Sequence, residues 1–221
     1  MVDVPSQIDA VARALHTGEV DGEPARIQTI AQEYPAGIDD VWDATTSPER
    51  IARWFLPVSG DLRIGGRYRL TGNASGEILS CTPPSDGTAG YRVMWEFAGG
   101  VSWVRVRLTS LGPERTRFEL EHTSRVADMP AEMWDTFGPG ATGVGWDQGL
   151  LGLALHLGVQ DDRIAPEEAE EWALSDEGKA FARAAADRWA DAYIAAGADR
   201  EVAARTAEAT FGFYTGRTPG A

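Results

Sequence analysis

The sequence predicts an α+β fold: an antiparallel sheet of about seven strands, covered by one long C-terminal helix and followed by an appended helical tail. From Asp61 to Thr123 apolar residues recur at every second position in short runs, and Gly, Pro, Asn and Asp separate the runs, as in strands joined by tight turns. The runs are apolar on one parity and charged on the other, as a sheet with one buried face requires. Downstream, "GVGWDQGLLGLALHLG" (Gly143 to Gly158) is a long apolar segment with helical spacing that can cover that face.

Taken in order, "IDAVARALH" (residues 8–16) predicts a short helix, and residues 1–25 form an N-terminal helical extension. "RIQTIAQEY" alternates as a first strand. "IDDVWDATTSPERIARWF" gives two short helices, with Ser47 as the N-cap of the second and Pro48 in the first turn, where a missing amide donor costs nothing. Pro57 stops that second helix after Trp54 and Phe55. The remaining strands are "DLRI", "GRYRL", "GEILSC", "YRVMWEFA", "VSWVRVRLTSL" and "RTRFELEHT", and links such as "PPSDGTAG" and "AGG" supply the turns. Links this short make successive strands antiparallel.

Alternation places Tyr68, Leu70, Val93, Trp95, Phe97, Val104, Val106, Leu108, Phe118, Leu120 and His122 on one face. Arg67, Arg69, Arg92, Glu96, Arg105, Arg107, Arg117, Glu119 and Glu121 fall on the other, where cross-strand ion pairs account for them. In the covering helix Trp146, Leu150, Leu153 and Leu157 form one stripe, and Gly145, Gly149, Gly152 and His156 form the next. The first stripe packs. Glycine within a helix costs roughly 0.5–1 kcal/mol against alanine, so the second marks either close backbone contact or side-chain volume withheld above the sheet.

The tail, residues 160–221, is helical and acidic, with Ser175 and Asp199 as caps and a stripe of Phe181, Ala185, Trp189 and Tyr193 that needs a partner surface. That stripe suits either a homodimer arm or a lid over the opening of the sheet.

The net charge of −14 argues against nucleic-acid or anionic-membrane partners. The excess lies outside residues 26–125, which balance twelve acidic against twelve basic side chains and form a candidate unit. Cys81 is the lone cysteine, which excludes an intramolecular disulfide and a thiolate metal cluster. The opening residues carry no secretory pattern and no segment reaches the length of a membrane span, so a cytoplasmic location is expected. No metal or cofactor is implied: "GPGATG" (Gly138 to Gly143) has the dinucleotide spacing, but "MPAEMWDTF" before it is not a strand, so Pro and Gly simply shape the entry to the long helix. His16, His122 and His156 are too scattered for a catalytic signature, although His122 and His156 fall on the two surfaces that face each other.

"SPERIARWFLP", "GDLRIGGRYRL" and "TRFELEHT", set in this order of elements, resemble the START-like (SRPBCC) superfamily, in the branch homologous to the activator of the heat-shock-protein-90 ATPase, over residues 26–159. The resemblance implies a helix-grip fold, a curved sheet wrapped around the last helix with a cavity between them, and binding of a hydrophobic small molecule. The candidate lining is Trp54, Phe55, Tyr68, Trp95, Phe97, Phe118, Trp146, Gly149 and Gly152, with His122 or His156 as polar anchor. Two alternatives stand beside it. One is a polyketide cyclase- or hydrolase-like enzyme in which either histidine acts as general acid or base beside Asp147. The other is a protein-interaction or co-chaperone-like module.

Overall fold

The computed structural model describes residues 1–160 and 164–216. Helix α1 (Val4–Ala10) leads into β1 (Ala12–Val20) and β2 (Glu23–Tyr34), then α2 (Ile38–Thr46) and α3 (Pro48–Ile51). Six strands follow: β3 (Val58–Gly60), β4 (Arg67–Leu70), β5 (Ser75–Ser85), β6 (Thr88–Phe97), β7 (Gly100–Gly112) and β8 (Arg115–Arg125). Helices α4 (Ala131–Phe137), α5 (Gly140–His156), α6 (Ala169–Leu174), α7 (Asp176–Ala195) and α8 (Arg200–Tyr214) complete the chain, with a single 3-10 turn before α6.

The eight strands form one antiparallel sheet in the order β1-β2-β8-β7-β6-β5-β4-β3. Helices α2 and α3 carry the chain from β2 to the far edge, and the meander back returns β8 to the side of β2. Three hairpins turn on two residues in the left-handed region: Asp21-Gly22, Asp86-Gly87 and Ala98-Gly99. Turns of this kind match the twist of the strands they join.

Several elements differ from the sequence expectation. The helix expected over 8–16 ends at Ala10, capped at its start by Asp3, and residues 12–20 pair along β2 as an edge strand. Helical spacing in "IDAVARALH" is real, but ladder pairing with β2 overrides a weak local propensity. "DLRI" is not a strand. The edge strand is β3, and residues 61–66 make a loop in which Gly65 has φ +77° and a Cβ on Gly66 would meet the Asp61 carbonyl at 2.1 Å. The second helix ends at Ile51 rather than reaching Phe55; the Trp54 and Phe55 amides still bond to the Ile51 carbonyl, in irregular turns. Prolines 83 and 84 lie within β5 at a register shift, leaving Asp86-Gly87 as the turn.

One core fills the space above the sheet. Val104, Val106, Leu108, Phe118 and Leu120 are buried on its inner face, against Val144, Leu150 and Leu153 of α5. On the outer face Arg107 sits between Glu119 (3.4 Å) and Glu121 (3.1 Å), and Arg67 pairs with Glu96. Trp103 is buried on that outer side in a small separate cluster with Val20 and Ala25, under the Arg125 guanidinium.

The tail is not peripheral. Helix α7 packs along α5 and against β1, and Phe181, Ala185 and Trp189 are completely buried in the same core as the sheet residues. The stripe that called for a partner finds it in its own chain. Gly143 shows how tight the contact is: a Cβ there would stand 2.3 Å from the Trp189 ring. Together with Gly138, the C-cap of α4 at φ +55°, it gives "GPGATG" a packing role between two helices.

Candidate functional site

Between the inner face of the sheet and α5 lies a cavity of about 190 Å³. The sheet contributes Tyr68, Tyr91, Trp95 and Phe118 to its wall, and α5 contributes Trp146, Gly149, Leu150 and Leu153. Trp54 and Phe55 close one side. The Trp54 indole donates to the Ala44 carbonyl at 2.9 Å, which fixes the ring to α2, and its ring centre stands 5.5 Å from that of Phe55. Leu62, 39% exposed on the loop between β3 and β4, also lines the space, so that loop borders an opening. No described residue of the tail lines it.

The glycine stripe divides into two functions. A Cβ on Gly152 would stand 2.3 Å from the Trp54 carbonyl, so this glycine exists for close backbone approach. A Cβ on Gly149 would meet only the Phe55 ring, at 3.7 Å, which is ordinary contact. Gly149 therefore borders free space, whereas Gly152 does not line the cavity.

Phe97, expected on the wall, is 52% exposed at the end of β6, where the hairpin carries it past the covering helix. His122 is buried behind the wall. Its Nδ1 accepts from the Trp146 indole at 3.2 Å, and because an indole N–H can only donate, Nε2 carries the proton and donates to Ser102 Oγ at 2.8 Å. Ser102 Oγ then donates to the Trp95 carbonyl at 3.2 Å. The chain is satisfied with the imidazole neutral, and burial lowers the His122 pKa to about 4. His122 thus holds the indole of Trp146, whose ring packs 5.1 Å from that of Trp95 on the cavity wall.

His156 points elsewhere. Its Nε2 faces the Arg50 guanidinium at 3.2 Å, and Arg50 is itself paired with Asp40 and Asp43, tying the end of α5 to α2 and α3. Asp147 lies on the tail side of α5, 1% exposed, with Arg13 of β1 bonded to both carboxylate oxygens and the Trp189 indole donating to Oδ2 at 2.8 Å. Burial raises its pKa, while Arg13 and Trp189 pull the other way. The three polar groups expected to share one space are therefore in three places: His122 behind the wall, His156 at a helix end, and Asp147 in an ionic contact that joins β1, α5 and α7. Among the described residues no group of acidic, histidine or cysteine side chains is arranged to hold a metal, and no helix is long and apolar enough to cross a membrane.

Sequence reasoning missed Tyr91 and Cys81, which face each other across β5 and β6 and both line the cavity. Tyr91 shares the parity of Val93 and Trp95, so extending that strand pattern by one step would have found it. It also missed Arg13, because a residue assigned to an N-terminal helix had no reason to be brought to α5.

Residues 35–158 match the family described as activator of Hsp90 ATPase homolog 1-like protein. Among solved structures, the crystal structure of CalU16 from Micromonospora echinospora is 38% identical, covering 74% of this chain and 96% of that one, with a TM-score of 0.57. Its solution NMR structure aligns at 32% identity over 85% of this chain and 97% of that one, with a TM-score of 0.67. That span exceeds the family match, so the likeness extends into the flanking segments. A conserved protein of unknown function from Enterococcus faecalis shares the fold at 14% identity, with 86% and 95% coverage and a TM-score of 0.52. No curated protein matches the chain. The eight-stranded sheet gripping α5 and the match over residues 35–158 agree: the chain belongs to the activator of Hsp90 ATPase homolog 1-like family, within the START-like superfamily.

Proposed function

We propose that this protein binds a small hydrophobic molecule in the cavity between its sheet and α5. The observation that carries the reading is the cavity itself: about 190 Å³, walled by aromatic and aliphatic side chains, with Gly149 withholding a side chain beside it. A dry apolar cavity of roughly 150 Å³ is enough to admit a benzene-sized molecule, and cavities of mostly apolar lining with few polar groups are the usual form of small-molecule sites. The enzyme alternative has no geometry in its favour: neither His122 nor His156 lines the cavity, and Asp147 is committed to Arg13 and Trp189. The co-chaperone-like alternative draws on the family's description and on no feature of the cavity.

The test is native mass spectrometry of freshly purified protein before and after organic extraction, on the wild type and on Gly149→Leu. A discrete small-molecule mass that extraction removes, and that the folded variant lacks, is the expected result. A folded Gly149→Leu variant that retains the same bound mass would sink the reading, because leucine at that position fills the space the ligand needs.

A further inference from the structure

Most polar groups on the cavity wall are already engaged. Thr45 Oγ1 donates to the Val41 carbonyl (2.8 Å), Thr46 Oγ1 to that of Trp42 (2.7 Å), and the Tyr68 hydroxyl to that of Met94 (2.7 Å). The indoles of Trp54 and Trp146 have their partners on Ala44 and His122. Among the described residues, three lining groups are left without a hydrogen-bond partner: the Tyr91 hydroxyl, the Trp95 indole N–H and the Cys81 thiol.

All three carry a hydrogen to give. The thiol is a weak donor and the indole can only donate, whereas the phenol is a strong donor. Tyr91 is partly buried against the core, and burial pushes its pKa well up, so it stays protonated; the Cys81 thiol opposite it is pushed up as well and is no thiolate nucleophile. No Lys, Arg, His, Asp or Glu lines the cavity, so a charged ligand group would be desolvated there without compensation. What such a wall lacks is an uncharged acceptor.

Resting on the cavity reading above, we infer that Tyr91 is the polar anchor of the cavity, and that the ligand it selects is an uncharged, compact, apolar molecule bearing a carbonyl oxygen that accepts from the Tyr91 hydroxyl. A wall donor with no partner in the protein, paired by the ligand in an apolar space, discriminates against analogues lacking the acceptor.

The experiment titrates wild type and Tyr91→Phe with two probes of nearly the same shape, acetophenone and ethylbenzene, by NMR, and records Tm for both proteins. The substitution removes only an oxygen with no partner in the protein, so Tm is expected to stay level or rise. Acetophenone affinity should fall about tenfold or more while ethylbenzene affinity changes by less than about twofold. If both probes bind and the substitution moves them equally, Tyr91 is not the anchor and the cavity reading stands. Should neither probe bind the wild type, both ideas fall. A lowered Tm would show the hydroxyl to be bonded within the protein, which also overturns the inference.

Discussion

The two sides of α5 use the same residue for opposite ends. Toward the tail, Gly143 is filled against the Trp189 ring and Asp147 is saturated by Arg13 and Trp189. Toward the cavity, Gly149 forms part of the lining with only an ordinary contact to Phe55, and the polar support, His122, stands one layer back. One side is closed and ionic; the other is hollow and neutral. A glycine stripe in a sequence is therefore silent about which of these it serves, because the answer depends on whether a partner's side chain arrives to fill it.

The largest effect should come from the closed side. Asp147→Ala leaves the Arg13 guanidinium, 4% exposed, without its carboxylate. Removing one member of a buried pair costs about 3–5 kcal/mol. Urea unfolding should show that loss; a change below about 1 kcal/mol would mean that water reaches Arg13 and that the side is less closed than its geometry indicates.

A slightly smaller effect belongs to the neutral side and depends on pH. With its folded pKa lowered to about 4 by burial, His122 takes up its proton only well below the ordinary value near 6.5. Above about pH 6.5 both folded and unfolded states are neutral here and nothing changes. As pH falls from about 6.5 to 4 the unfolded chain binds the proton first, so stability should drop by roughly 3 kcal/mol in all. Urea unfolding of wild type and His122→Gln at pH 7, 5 and 4 isolates the contribution as a difference. If the two proteins lose stability in parallel, His122 is not the group responsible.

The comparison is sharpened most directly by placing the same methyl group on each side. Gly143→Ala pushes a Cβ into the Trp189 ring and should cost about 1–3 kcal/mol. Gly149→Ala makes only ordinary contact with Phe55 and should stabilise the helix by up to about 1 kcal/mol. Opposite signs in thermal unfolding are expected; equal losses would mean that the space beside Gly149 is not free.

Much of this architecture was legible because it is written in short-range periodicity. The parity of Val93, Val104, Val106, Phe118 and Leu120 named the buried face, and the caps at Ser47, Ser175 and Asp199 placed three helix starts. The aromatic lining Trp54, Phe55, Tyr68, Trp95, Phe118 and Trp146 could be named from parity and the family resemblance together. Phe97 has the same parity as Trp95 yet lies beyond the covered area, since parity fixes the face of a residue and not how far along the strand the cover extends. Residues 12–20 read as helix because an edge strand draws its hydrogen bonds from β2, which local spacing does not record.

The sequence by itself determined the one-sided sheet, the helix that covers it, and the family, because alternation, turn residues and caps act over a few neighbouring positions. Tertiary structure alone decided that the acidic tail completes the core, that Asp147 meets Arg13 across 134 residues of chain, that His122 supports the cavity wall from behind, and that Tyr91 is left facing an apolar space with a hydrogen to give. These outcomes depend on which distant side chains arrive at one point, and no local pattern in the chain encodes that arrival.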